Sequence, residues 1–139
     1  MRICVVDGRG GGIGRRLVAG LSPLATEGHH VIGLGLNMVS AAAMDRAGAT
    51  CVESRRPEIH RHLRQSEIIA GPLSLVLPGA MLGEVTPYLV QAVVDSPARK
   101  ILLPVNRRNV EVVGVEGRTL DLLIEHAIQR ILSLIKTTV

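Results

Sequence analysis

The segment RICVVDGRGGGIGRR, residues 2–16, indicates how the chain begins to fold. Residues 2–6 form a short apolar run typical of a buried strand, and residues 15–21 have the pattern of a helix. Five of the seven residues between Asp7 and Arg15 are glycine. A strand, a glycine-rich turn and a helix start are the means by which α/β proteins present backbone N–H groups to phosphate. The segment therefore predicts a phosphate-binding turn made of Gly8, Arg9, Gly10, Gly11, Gly12, Ile13 and Gly14.

The glycine content of this turn indicates a ligand. Gly8 lets the chain reverse sharply, the middle glycines let a pyrophosphate approach the backbone, and Gly14 lets the helix pack close to the strand. So many glycines cost conformational entropy, and a turn with only a structural role needs fewer. We therefore expect phosphate binding, with a structural turn as the alternative. Asp7 is expected to brace the turn by accepting bonds from backbone N–H groups.

The composition predicts a single domain over residues 1–139. Hydrophobic residues make up 47% of the chain, and its one Tyr, without Phe or Trp, leaves little for stacking single-stranded nucleic acid. The net charge of +4 comes mostly from arginine, which suits phosphate or carboxylate ligands, although an ordinary basic surface is the alternative. No apolar run approaches the roughly 20 residues of a membrane span, and no leader pattern is present, so a cytoplasmic location is expected. Cys4 and Cys51 lie in apolar runs and are expected to be buried free thiols.

Strand-like and helix-like segments alternate along the chain, which is typical of a parallel sheet covered on both faces. The predicted fold class is α/β, a Rossmann-like three-layer sandwich with about five parallel strands plus an antiparallel edge strand. The predicted strands are 2–6, 30–34, 50–53, 67–70, 101–105 and 110–115. The four-residue loop 106–109 suits a hairpin, so strand 110–115 is the antiparallel edge. The predicted helices are 13–21, 38–47, 56–65, a fourth from 85 or 87 to 94, and 120–136. The last has an apolar stripe that serves the core or a homodimer contact.

Other polar residues follow the predicted strands at the edge where ligands bind in open α/β sheets. Strand 30–34 is followed by Asn37 rather than by the carboxylate that usually holds the ribose of NAD. Asn37, with Ser40 beside it, therefore favours NADP, with NAD or another nucleotide as alternatives and a plain helix cap as a further role for Asn37. A polar loop, Asn106, Arg107, Arg108 and Asn109, is an expected anion or substrate clamp.

Glu84 is the candidate catalytic residue, as an acid-base group or a hydrogen-bond acceptor for substrate; a helix-dipole role is the alternative. Helix 56–65 carries the densest basic segment and offers a nucleic-acid interface as an alternative to a solvated face. The histidines have no acid or thiol partners at ligand spacing, so no metal site is proposed.

The glycine segment Gly8-x-x-x-Gly12-Ile13-Gly14 is similar to that of short-chain dehydrogenases. The Tyr-x-x-x-Lys pair of those enzymes has no counterpart, because the single tyrosine, Tyr88, is followed by Ala92. Taken whole, the chain resembles a small bacterial family of uncharacterised function. The segments that carry the resemblance are 7–14, 71–72, 81–87, 104–109 and 111–114. The resemblance implies a bacterial, cytosolic setting and no particular reaction.

The sequence thus predicts binding of a phosphate-bearing nucleotide, NADP(H) first, at the carboxyl edge of a parallel sheet. A sensor or accessory protein is favoured over an enzyme. The alternatives are a small NADPH-dependent reductase that uses Glu84 and a basic nucleic-acid module that uses helix 56–65.

Overall fold

A sheet of five parallel strands lies at the centre of the computed structural model, which describes residues 1–105 and 109–137. The strands are β1 (Arg2–Asp7), β2 (His30–Gly35), β3 (Cys51–Glu53), β4 (Ile68–Pro72) and β5 (Arg99–Leu103). The helices are α1 (Gly12–Leu21), α2 (Met38–Arg46), α3 (Arg56–Gln65), α4 (Pro87–Asp95) and α5 (Leu120–Lys136). Short 3-10 helices cover Ser22–Glu27 and Leu73–Val76.

The strands alternate their side chains between two buried layers. In β1, Ile3 and Val5 pack with α1 and α5, whereas Cys4 and Val6 pack with α3 and α4. Successive strand residues point to opposite faces, so each strand serves both layers. The sequence prediction of a three-layer α/β fold with five parallel strands is therefore confirmed.

The strand order β3-β2-β1-β4-β5 places the first strand in the middle. From β1 the chain winds outward through β2 to β3, and it then crosses to the other side of β1 to form β4 and β5. This is a doubly wound sheet whose winding changes direction between β1 and β4. Such a point leaves a crevice outside the carboxyl ends of the two strands.

Residues 110–115 do not continue the sheet as the predicted sixth, antiparallel strand. In this segment only Val110 makes a bridge-type pairing. The chain instead turns at Gly114 and again at Gly117, whose φ angles of 98° and 79° are left-handed. The Val-rich segment therefore predicted a strand where glycines bend the backbone, and Val113 is 89% exposed.

Two further expectations concern single elements. Cys51 was expected to be buried in its strand, but β3 is only three residues long and leaves Cys51 exposed, whereas Cys4 is buried as predicted. The last helix is capped by Thr119, whose hydroxyl accepts a hydrogen bond from the Leu122 amide at 3.2 Å. Within residues 1–105 and 109–137, no helix combines the length and the apolar character that crossing a bilayer requires.

Candidate functional site

A cavity of about 220 Å³ lies at the crevice between the carboxyl ends of β1 and β4. It is bounded on one side by the glycine turn and on the other by residues that follow β4 and β5. Its lining residues are Asp7, Gly8, Arg9, Gly10, Gly11, Gly12, Ile13, Pro72, Ser74, Met81 and Val105. The turn identified from the sequence therefore forms one wall of a cavity at the position where the strand order predicts a ligand.

The Asp7 side chain fixes the conformation of the glycine turn by binding its backbone amides. Its Oδ1 accepts a hydrogen bond from the Gly8 amide at 2.8 Å, and its Oδ2 accepts one from the Gly14 amide at 2.7 Å. The side chain is only 5% exposed. Burial raises the pKa of Asp7, while the bonds from the amides of Gly14, Gly8 and Ile13 offset part of that rise. The bracing role predicted for Asp7 is thus confirmed, and both of its oxygens are committed to the backbone.

Most backbone amides of the turn already have partners inside the protein. Gly11 donates to the Gly8 carbonyl and Arg15 to the Gly11 carbonyl, each at 2.9 Å. The Arg9 amide donates to Glu84, and those of Gly8 and Gly14 donate to Asp7. The Ile13 amide acts on the same carboxylate and helps to lower its pKa. The amides of Gly10 and Gly12 donate to no group in the part of the chain that the structure describes. These two N–H groups are therefore the ones that the turn leaves for a ligand.

The same two positions differ from the other glycines of the turn in a second respect. A Cβ at Gly8 would lie 2.6 Å from Glu84 Oε1, and one at Gly14 would lie 2.8 Å from the Asp7 Cβ. Gly11 has a left-handed φ of 70°. A Cβ at Gly10 or Gly12 would meet no atom within 4 Å, and neither residue has a left-handed φ. Packing and backbone conformation therefore explain glycine at 8, 11 and 14 but not at 10 and 12.

Ser74 adds an unpartnered polar group to this cavity. The residue is 1% exposed, and its Oγ is buried without a hydrogen-bond partner among the described residues. A buried hydroxyl that makes no hydrogen bond costs about 1–3 kcal/mol. Sequence reasoning missed Ser74, although its place just after β4, at the carboxyl edge of the sheet, was a usable signal.

Glu84 and Asn37 meet at the side of the glycine turn. Glu84 Oε1 accepts a bond from the Arg9 amide at 2.7 Å, and its Oε2 accepts one from Asn37 Nδ2 at 2.6 Å. Asn37 Nδ2 also donates to the Arg9 carbonyl at 2.9 Å. The three groups form a clasp, here called the Glu84 clasp, that ties the turn to the end of β2 and to the loop before α4.

Asn37 is also the N-cap of α2. Its Oδ1 accepts a hydrogen bond from the Ser40 amide at 2.8 Å, and the Asn37 backbone amide donates to the Ser40 hydroxyl at 3.4 Å. This reciprocal arrangement is a capping box. Ser40 is fully buried in it, so it supports Asn37 and does not form part of a cavity wall.

A second cavity, of about 570 Å³, borders the clasp. Its lining residues are Arg9, Gly10, Asn37, Met38, Val39, Met81, Leu82 and Glu84. Three apolar side chains at its rim are open to solvent: Met38 is 79%, Val39 65% and Leu82 86% exposed. Met81 and Leu82 also have left-handed φ angles of 56° and 53°, which is uncommon for residues with large side chains. The sequence analysis did not identify this apolar rim.

The remaining predicted sites are the polar loop 106–109 and the basic helix α3. Asn106, Arg107 and Arg108 lie outside the described residues, so the clamp stays a prediction, and Asn109 is exposed with a φ of 64°.

On α3, Arg61 pairs with Glu58 at 2.8 Å, and at its N-cap Arg55 pairs with Glu53 at 3.2 Å. Within 1–105 and 109–137, no three His, Cys, Asp or Glu side chains come together as a metal ion would require.

The comparisons with known proteins place the chain in a family. The model of a family described as a domain of unknown function, DUF3842, matches residues 2–136, so the chain belongs to this family. This confirms the resemblance inferred from the sequence motifs. No curated protein matches the chain. Among solved structures, a dodecameric FMN-dependent UbiX-like decarboxylase from Escherichia coli O157:H7 is similar to this chain. The match covers 98% of this chain and 94% of the decarboxylase chain. The identity is 11% and the TM-score 0.46, values at which no property of that enzyme is assigned to this chain.

Proposed function

We propose that this DUF3842 family member binds a phosphate-bearing nucleotide at the carboxyl edge of its sheet. The observation that carries the proposal is the coincidence at Gly10 and Gly12. Both amides lack a partner among the described residues, and both residues leave open space where a side chain would stand. A phosphate that approaches the backbone uses both properties, since it needs free N–H donors and no Cβ in its path.

The surroundings of these two amides suit an anion. They lie at the start of α1, whose dipole and free N–H groups favour negative charge. The Arg9 guanidinium makes no hydrogen bond or ion pair with the described residues, and Arg9 lines both cavities. Ser74 belongs to the opposite wall of the smaller cavity, and its unpartnered hydroxyl is buried behind that wall. A pyrophosphate at the turn would give the two amides and the Arg9 guanidinium an acceptor.

A dinucleotide fits the proposal because the second cavity adjoins the turn through Arg9 and Gly10. Its exposed apolar rim suits the flat faces of a base. The neutral Asn37 that follows β2 is the sequence feature in favour of NADP over NAD. A sensor or accessory role is favoured over a reductase, since both Glu84 oxygens accept hydrogen bonds in the clasp and neither is arranged as a proton donor.

The experiment is a ligand panel on the purified protein and on two alanine variants. Thermal shift and calorimetry with NADPH, NADH, FAD, S-adenosylmethionine and ATP should identify a ligand, and a ligand at 100 times its Kd adds about 2.7 kcal/mol of stability. Gly10→Ala and Gly12→Ala should fold with unchanged stability, because the new Cβ meets no atom within 4 Å. Each should weaken binding by about tenfold or more, roughly 1.4 kcal/mol.

Two results would contradict the proposal. One is a wild-type protein whose melting temperature and calorimetric heats respond to none of the nucleotides. The other is a nucleotide that binds both alanine variants as tightly as the wild type, since such a ligand would not contact the glycine turn.

A further inference from the structure

The carboxylate that the sequence lacks after β2 is brought there from another part of the chain. The residues that follow β2 are Leu36 and Asn37, and neither is acidic. Glu84 stands 47 positions further along the chain, but its Oε2 lies 2.6 Å from Asn37 Nδ2. The end of β2 therefore does carry a negative charge, although it comes from the loop that precedes α4.

We infer that Glu84 accepts hydrogen bonds from the ribose hydroxyls of the bound nucleotide and selects a ribose without a 2′-phosphate. The inference rests on the proposed nucleotide-binding function and specifies its ligand class. It replaces the preference for NADP, which follows from Asn37 considered alone. A carboxylate after the second strand holds the ribose diol in dinucleotide-binding folds, and the chemistry of that interaction does not depend on which element supplies the acid.

Asn37 has no hydrogen-bond donor left for a phosphate. A side-chain amide carries two N–H donors and one carbonyl acceptor. The donors are used by the Arg9 carbonyl at 2.9 Å and by Glu84 Oε2, and the acceptor is used by the Ser40 amide. A 2′-phosphate placed beside Asn37 would therefore find no N–H group of this side chain to bind.

Glu84, in contrast, keeps capacity to accept. An ionised carboxylate offers about four lone-pair positions, and the clasp uses one on each oxygen. Glu84 also lines the 570 Å³ cavity, so the remaining positions stand beside space that a ligand can enter. Ribose 2′- and 3′-hydroxyls donate hydrogen bonds and match these acceptors, whereas a 2′-phosphate would bring like charges together.

The other residues that line the 570 Å³ cavity indicate where the phosphate and the base of the nucleotide would lie. Of the described residues that line it, Arg9 is the cation, and it also lines the cavity at the glycine turn. The positive charge of Arg9 is therefore expected to face the pyrophosphate of the ligand. The exposed Met38, Val39 and Leu82 at the rim are apolar and suit the base. This leaves the Glu84 clasp as the polar feature between phosphate and base, which is where a ribose lies in a nucleotide.

The test is a selectivity ratio measured by calorimetry. Wild-type protein should bind NADH about tenfold more tightly than NADPH, and ATP about tenfold more tightly than 2′-deoxy-ATP. In Glu84→Gln, binding of NADH should weaken and that of NADPH should strengthen, so that the ratio approaches one. Glu27→Gln is the matched control, because Glu27 is exposed before β2, at the opposite edge of the sheet. It should keep the wild-type ratio.

The outcomes separate this inference from the proposed function. Wild-type protein that binds NADPH as tightly as NADH, or ATP no better than 2′-deoxy-ATP, overturns the ribose assignment while leaving nucleotide binding intact. An unchanged ratio in folded Glu84→Gln does the same. A clasp with only a structural role would weaken both ligands equally and leave the ratio where it was. If no nucleotide binds, the proposed function fails, and the ribose assignment fails with it.

Discussion

Gly14 illustrates at the residue scale how tightly the floor of the turn is built. An added Cβ would lie 2.8 Å from the Asp7 Cβ, 2.9 Å from the sulfur of the fully buried Met44 and 3.2 Å from Asp7 Oδ2. We expect Gly14→Ala to lower the free energy of unfolding by about 1–3 kcal/mol, as overpacked positions do. The measurement is the urea midpoint. Gly12→Ala, two residues away and open to the cavity, is the control, and equal losses in the two variants would contradict the packing described.

Single residues also show where sequence-based prediction stops. The roles of Gly8 and Gly14 follow from local spacing, because a strand that runs into a helix needs a sharp turn and a close approach. The Glu84 clasp could not be predicted, because it joins residues 47 positions apart through a side-chain rotamer. The missing hydrogen bond of Ser74 is likewise a property of its neighbours, and no sequence pattern records it.

At the scale of elements, the start of α3 is held by an acid outside the helix. Glu53, the last residue of β3, accepts from the amides of Ser54 and Arg55 at 3.0 Å and from the Arg55 guanidinium at 3.2 Å. The Arg55 side chain, the largest cause, and these amides lower the pKa of Glu53 from 4.5 to about 2. The carboxylate therefore holds the turn that leads from β3 into α3, at whose N-cap the Arg55 side chain makes no capping hydrogen bond.

This arrangement predicts a pH-dependent contribution to stability. A lowered pKa in the folded state stabilises the protein above the unfolded pKa of 4.5, and the contribution is lost as the pH falls towards 2. Wild type should therefore exceed Glu53→Gln in urea midpoint near neutral pH, and the difference should shrink through this acid range. A difference that stays constant from neutral pH to pH 2 would mean that the carboxylate charge is not what holds the turn before α3.

The elements themselves were predictable to different degrees. The regular strands and helices follow from the hydrophobic period, as in α5, whose apolar stripe places Ile124, Ala127 and Ile131 in the core. Segment 110–115 shows the limit of that reasoning. Its Val residues suit a strand, but a strand also needs a neighbour to pair with, and Gly114 and Gly117 turn the chain before that pairing extends.

At the scale of the whole molecule, the two cysteines report on different parts of the fold. Cys4 is fully buried in the central strand, and Ser66 Oγ donates to its sulfur at 2.9 Å. Burial raises the pKa of the Cys4 thiol from 9.0 to about 11. Cys51 is exposed at an outer strand. The two thiols should therefore differ in their reaction with a disulfide reagent.

We expect one thiol per chain to react in the native protein at mildly alkaline pH and both to react in denaturant. Because the thiolate is the reactive form, Cys4 should react only when the whole sheet opens. In a Cys51→Ser variant the residual rate then measures global unfolding, and rapid native reaction of that variant would contradict the burial of Cys4.

The free energy of unfolding should also fall as the pH rises from 9 to 11, since only the unfolded chain ionises Cys4 in that range.

The two outer strands of the sheet have a consequence for how copies of the chain meet. β3 has only three residues and ends in the Glu53–Arg55 ion pair. β5 starts with Arg99 and Lys100, and the lysine ammonium covers the carbonyls of Val94 and Ser96. Short, charged borders of this kind discourage strands of neighbouring molecules from adding on and so protect against fibrillar aggregation. A concentrated solution should therefore resist cross-β assembly although nearly half of the residues are hydrophobic.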